Sequence, residues 1–132
     1  MKFKTAILGL SVLVAGCAPT VSGQGPETFN LAGSEWAVAP GDNQPFVQFS
    51  ADGKASGNGG CNRFSGSYEQ TGQALSFGPI VSTKRACLEL NAETAFFGAL
   101  SQTRSFEGDH LKMILKSEGG DEILTLVRRD WD

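Results

Sequence analysis

The chain has 132 residues, with 11 basic and 14 acidic side chains and only one histidine. That length holds one domain with a real hydrophobic core. The acidic balance argues against nucleic acid or an anionic membrane surface as the partner.

The first sixteen residues do not read as part of a fold. Lys2 and Lys4 make a basic start, and an apolar run from Ala6 to Ala15 follows. The run is short of the roughly 20 residues a spanning helix needs, so residues 1–16 read as a secretory leader. It ends in Val14-Ala15-Gly16-Cys17, which resembles a bacterial lipobox. That resemblance implies cleavage before Cys17 and lipid attachment to it. Ala18 in place of an aspartate implies sorting to the outer membrane, with the rest of the chain facing the periplasm. Several acyl chains on one residue, at about 0.8 kcal/mol per buried CH₂, anchor a protein stably.

Residues 17–30 carry prolines and glycines without periodicity and read as a lipidated N-terminus and flexible tether. Its reach is on the order of 20 Å. The domain is expected over residues 31–132. Loss of Lys2 and Lys4 leaves nine basic against fourteen acidic residues, a balance of −5. With Cys17 assigned to lipid, Cys61 and Cys87 remain. An even remainder in an oxidising compartment points to a disulfide; two buried free thiols are the alternative.

Within the domain, short apolar stretches alternate with glycine turns. Strands are expected over Glu35–Ala39, Phe46–Ser50 and Lys54–Gly57, with Asp52-Gly53 as a hairpin turn. The glycine-rich corner Gly57-Asn58-Gly59-Gly60 then feeds a strand over Arg63–Glu69. There Phe64, Gly66 and Tyr68 face one way and Arg63, Ser65, Ser67 and Glu69 the other. Ala74–Phe77 and Ile80–Thr83 extend on either side of Gly78-Pro79. One helix is expected over Ala92–Gln102, with Asn91 as its N-cap, Glu93 in the first turn, and Phe96, Phe97 and Leu100 on the apolar face. Arg104–Phe106, His110–Leu115 and Glu122–Arg128 close the chain as strands. The fold class is α+β, mostly β: about eight short antiparallel strands in a curled sheet or small barrel, with one covering helix.

Gly59-Gly60-Cys61-Asn62-Arg63-Phe64-Ser65-Gly66-Ser67-Tyr68 resembles one signature of the META/HslJ domain family. Leu75-Ser76-Phe77-Gly78-Pro79-Ile80-Val81-Ser82-Thr83-Lys84-Arg85-Ala86-Cys87 resembles its second, with Lys84 at a position the family more often fills with an uncharged residue. The likeness covers about residues 31–129. It implies a compact mixed β fold, frequent envelope lipoproteins, and a loose link to stress response and drug tolerance. It implies no catalytic residue and no cofactor.

The residues themselves agree. No Gly-Lys-Ser/Thr ending follows the glycine corner, so a phosphate cradle is not expected. One histidine, His110, cannot build a zinc site with two distant cysteines. It stands in a turn, far in sequence from Cys61, the one candidate nucleophile. The chain is therefore expected to be non-enzymatic.

The candidate binding surface is Asn62, Arg63, Ser65 and Ser67, brought beside Thr83, Lys84 and Arg85 if Cys61 and Cys87 are bonded. Structural roles compete with that reading: Asn62 as a turn cap and Arg63 in an ion pair. The favoured function is an outer-membrane-anchored lipoprotein with a binding or structural role in envelope stress and drug tolerance, its partners the membrane through Cys17 and an envelope protein. A periplasmic lysozyme inhibitor is the alternative.

Overall fold

The computed structural model describes Gly16, residues 29–88 and residues 90–129. Cys17, with the expected lipid site, and nearly all of the leader and tether lie outside the described residues. The elements are β1 (Ser34–Ala37), β2 (Phe46–Phe49), β3 (Lys54–Asn58), β4 (Arg63–Thr71), β5 (Ala74–Phe77), β6 (Val81–Ser82), α1 (Leu90–Gln102), β7 (Ser105–Gly108), β8 (Lys112–Lys116) and β9 (Glu122–Arg128).

All pairings are antiparallel. The order β3-β2-β1-β9-β8-β7-β5-β4 closes on itself through a β3–β4 pairing, so eight strands form a ring. The ninth, β6, shares β4 with β5. The nine-residue β4 offers one edge to β3; on the other, Tyr68–Thr71 takes β5 and Phe64–Ser65 takes β6. Gly78-Pro79 breaks what would be one strand into β5 and β6, because proline cannot donate to a ladder. The curled sheet with a covering helix is the architecture expected from the strand and turn pattern.

Period-two patterning builds the interior. Phe64 is buried on the inner face of β4 and Arg63, Ser65, Ser67 and Glu69 are exposed on its outer face. Trp36, Val47, Phe49, Phe106, Met113, Leu115 and Leu126 fill the ring, and Phe96 and Leu100 of α1 close over them. Burying each such side chain contributes about 1.5–3 kcal/mol. The Trp36 indole N–H donates to Ser34 Oγ at 2.7 Å, and the Ser34 hydroxyl donates to the Leu31 carbonyl. That chain of bonds lets Ser34 be buried without an unmet polar group. The incoming chain is fastened by Gln70, which accepts from the Leu31 N–H at 2.9 Å and donates to the Phe29 carbonyl at 2.7 Å. Phe29 stacks on Trp36 at 5.7 Å between centroids.

These registers give the ring two distinct ends. Phe29 comes in at the proximal end, beside Gln70, with the turns at residues 50–53, 71–73 and 117–121. The distal end gathers residues 38–45, 58–62, 83–88 and 109–111 and the start of α1. From Arg63 to Gln70 the separation is about 23 Å at ~3.3 Å per strand residue.

Most element ends move by one or two residues from the sequence reading, and two of these shifts have a clear local setting. The helix begins at Leu90, so Asn91 lies inside its first turn and is not the N-cap. The first strand is shifted to Ser34–Ala37 because Ser34 is held inward by its bond to Leu31.

Gly57 marks a very close backbone approach in the ring wall. A Cβ there would stand 2.1 Å from the Phe46 carbonyl oxygen. Gly57→Ala is therefore expected to cost about 1–3 kcal/mol, as overpacked sites do, read as a lower urea midpoint at unchanged m-value.

Candidate functional site: a cleft held by a buried carboxylate

The glycine corner has to turn the chain from β3 into β4 within four residues. Gly59 sits so close to α1 that a Cβ would lie 2.6 Å from Glu93 Cγ and 2.7 Å from Phe97 Cζ. Absence of a side chain there lets the helix press against the corner. Two polar residues fill the contact, Asn62 at 4% exposed and Glu93 at 5%.

Glu93 accepts three hydrogen bonds. Its Oε1 takes the Asn62 N–H at 2.6 Å and the Cys61 N–H at 3.3 Å, and its Oε2 takes Asn62 Nδ2 at 2.8 Å. Burial alone pushes the Glu93 carboxyl up; the side-chain bond from Asn62 and the main-chain bonds from Asn62 and Cys61 outweigh it and hold the group below the usual carboxylate range. Glu93 stays ionised, in the first turn of α1, where the helix dipole favours negative charge.

Asn62 carries the grip across to the second signature. Its Oδ1 accepts from the Arg85 N–H at 2.6 Å and from Thr83 Oγ1 at 2.9 Å, while Nδ2 also donates to the Arg85 carbonyl at 3.3 Å. The Cys61–Cys87 disulfide, with Cα atoms 6.2 Å apart, ties the same two segments covalently. In this state Cys61 offers no thiolate for nucleophilic chemistry.

A cleft of about 450 Å³ opens between the extended segment Ser82–Ala86 and α1. Leu90, Thr94 and Phe97 line the helix side, with Asn62 and Glu93 also on its wall. Lys84 and Arg85 stand at its rim, both exposed. Among the described residues no ion pair engages Lys84, Arg85 or the nearby exposed Arg63. Cations left unpaired on an acidic protein favour an anionic ligand.

The expected surface thus divides. Thr83, Lys84 and Arg85 line the cleft. Arg63, Ser65 and Ser67 are exposed along the outer face of β4, outside the cleft lining. Asn62 faces inward, where its amide is needed to satisfy Glu93 and Arg85; this corrects its outward placement. Glu93 escaped notice as a site residue because an acidic residue in a first helical turn already has a local explanation. A signal was available: Glu93 stands three, four and seven positions before Phe96, Phe97 and Leu100, so a charged residue falls on the apolar helical face and needs a partner if buried. Among the described residues no three His, Cys, Asp or Glu side chains are placed to hold a metal ion.

Fold and site together define a small helix-covered ring of antiparallel strands whose glycine corner is clamped by a buried glutamate and a disulfide. The chain belongs to the META domain family, whose sequence profile matches residues 20–130. Its structure is similar to an NMR structure of a protein from Burkholderia xenovorans, with TM-score 0.64, 26% identity, and coverage of 86% of this chain and 97% of that one. It is also similar to the crystal structure of a DUF4847 family protein from Bacteroides vulgatus, with TM-score 0.61, 15% identity, and coverage of 77% and 96%. The second likeness speaks for the fold alone. No curated protein gives a significant sequence match.

The clamp makes two checkable demands. Because the folded Glu93 group is held below its unfolded value, its contribution is fully present above the ordinary glutamate range near about 4.3 and is lost as pH falls through the folded value. Glu93→Gln places an amide NH₂ or a single carbonyl where two oxygens accept, so it should cost about 1–3 kcal/mol at neutral pH and flatten the acid limb of a stability-versus-pH curve. Equal acid limbs in urea titrations of both proteins would remove Glu93 from this role. Reduction of the disulfide, which joins residues 26 apart, should lower stability by about 3–4 kcal/mol, read by urea unfolding with and without reductant.

Proposed function

We propose that this protein is a non-enzymatic lipoprotein of the bacterial outer membrane, anchored through Cys17, whose periplasmic META domain binds an anionic envelope partner in the cleft and serves envelope stress response and drug tolerance. The observation that carries the binding role is the unpaired cationic rim of Lys84 and Arg85, fixed in place by Asn62 and the disulfide. A surface held this rigidly costs little ordering entropy when a ligand arrives.

The anchoring reading is supported by the leader and lipobox in residues 1–17. A disulfide between two of the three cysteines suits an oxidising compartment. Of the exposed large apolar side chains, Val38, Leu88, Leu90 and Leu111 are on the distal end or at its margin, and Val81 is on the ring wall, paired with Ser65. An anchor on the tether therefore leaves that end directed away from its own membrane.

The test is made in cells with the full chain. The wild type should be recovered with outer membranes carrying acyl mass, and Cys17→Ala should be recovered free of lipid. Recovery of the wild type without lipid overturns the anchoring. In a strain deleted for the gene, the wild type should restore growth under envelope stress and under drug challenge. The double variant Lys84→Glu/Arg85→Glu should not, at equal protein level. Full restoration by the double variant overturns the cleft as the working surface.

A further inference from the structure

The cleft has a wall that side-chain chemistry alone does not explain. Val81 and Ser82 pair with β4, and the bonding continues past the strand: the Thr83 N–H donates to the Arg63 carbonyl at 3.0 Å, and the Arg85 N–H and carbonyl both meet the Asn62 amide. Odd-numbered residues of this segment therefore spend their main-chain groups on the ring. In an extended chain, successive residues present those groups to opposite edges. Those of Lys84 and Ala86 are directed to the other edge, and among the described residues no hydrogen bond engages either main chain. That edge borders the cleft, and α1 stands across it.

An unpaired strand edge facing a helix across a cleft is a slot for one more strand. We propose that the cleft binds an extended peptide segment rich in carboxylates and small apolar side chains, added as a strand to the open edge at Ser82–Ala86. This rests on the reading of the cleft as the binding surface and names the chemical class of its partner. The Lys84 and Ala86 main chains supply the ladder. Leu90 and Phe97 receive apolar side chains, while Lys84 and Arg85 attract the carboxylates.

Two other occupants fit less well. A lipid headgroup would use the cations and leave the backbone edge unpaired. The cleft is also at the end of the ring opposite Phe29, about 23 Å along β4 at ~3.3 Å per residue. A second copy docking through the same patch sets cation against cation.

The experiment uses the protein as isolated, with its disulfide intact, and a fluorescein-labelled pentapeptide alternating glutamate and valine. Two control peptides replace glutamate by lysine or carry N-methyl groups on the alternate amides facing the slot. Anisotropy should show binding of the acidic peptide, with the lysine peptide and the N-methylated peptide each at least about tenfold weaker, as loss of charge attraction or of ladder hydrogen bonds requires. Amide exchange at Lys84 and Ala86 should slow on binding. Thr94→Trp, which narrows the slot from an exposed helix position, should block the peptide while leaving the urea midpoint unchanged.

Equal binding of the N-methylated peptide overturns strand addition and leaves only a charged rim. Protection of Lys84 and Ala86 by concentration alone, with a doubled molecular mass, gives the slot to a second copy and overturns the peptide. Binding to anionic phosphatidylglycerol vesicles without peptide binding gives it to lipid. If the acidic peptide fails in vitro while Lys84→Glu/Arg85→Glu still abolishes growth restoration, the cleft works on another anion. If both fail, the functional reading of the cleft falls with the peptide.

Discussion

A buried carboxylate is an expensive thing to keep, and the distal end of this molecule depends on one. Glu93 is ionised in a site almost closed to water, which is tolerable only because three donors meet its two oxygens. Two of those donors are main-chain N–H groups of the glycine corner, which have no strand partner of their own at this bend. The carboxylate thus satisfies the corner's orphan donors, and the corner satisfies the carboxylate. Asparagine at 62 is required by the same geometry. An amide gives to Glu93 with its nitrogen and takes from Arg85 and Thr83 with its oxygen. An aspartate there would face Glu93 with like charge, and an alanine would leave several groups unpaired.

The clamp also compensates for a weakness in the ring. Between β5 and β7 only Ala74 and Ser105 are in register, extended by the bonds from Leu75 to Arg104 and from Phe106 to Gln73. Beyond that point the two sides diverge, and α1 lies over the gap with Phe96 and Leu100 buried in the core. Its distal end is held by Glu93 to the corner; its proximal end runs directly into β7. The helix is thereby fixed to both sides of an incompletely paired seam. Phe64, at 5.2 Å from Phe97 and 6.0 Å from Phe96 between centroids, joins the clamp to the core.

Much of this was legible in the residues, and the illegible part has a consistent cause. Alternation along Arg63–Glu69 is local, so the inner and outer faces of β4 could be read directly, as could the helix and most turns. The pairing of Cys61 with Cys87 followed from compartment and count, though not from any distance. Asn62 was misplaced because it precedes the strand. Period-two logic does not extend into a glycine corner, where the backbone turns out of the pleat. Asn91 looked like a cap because its residue type favours that role, whereas the helix starts at Leu90 and its first turn is held by the bonds from Cys61 and Asn62 of the first signature to Glu93. Both differences arise where a tertiary contact outweighs a local preference, and both lie at the cleft.

The same logic bears on why the open edge at Ser82–Ala86 persists. Exposed strand edges invite unwanted pairing, and proteins usually blunt them with charge, proline or a covering element. Here Pro79 stops the edge from extending toward β5, and Lys84 and Arg85 place charge beside what remains. Those cations repel another basic strand but attract an acidic one, so the protection is selective. Asn62 and the disulfide hold the segment extended although only two of its residues are in regular ladder. A loop needed merely to reach α1 would not require two independent fastenings to keep one edge straight and free. The construction makes sense if straightness is the property being kept, because a strand can be added only to a backbone that is already extended.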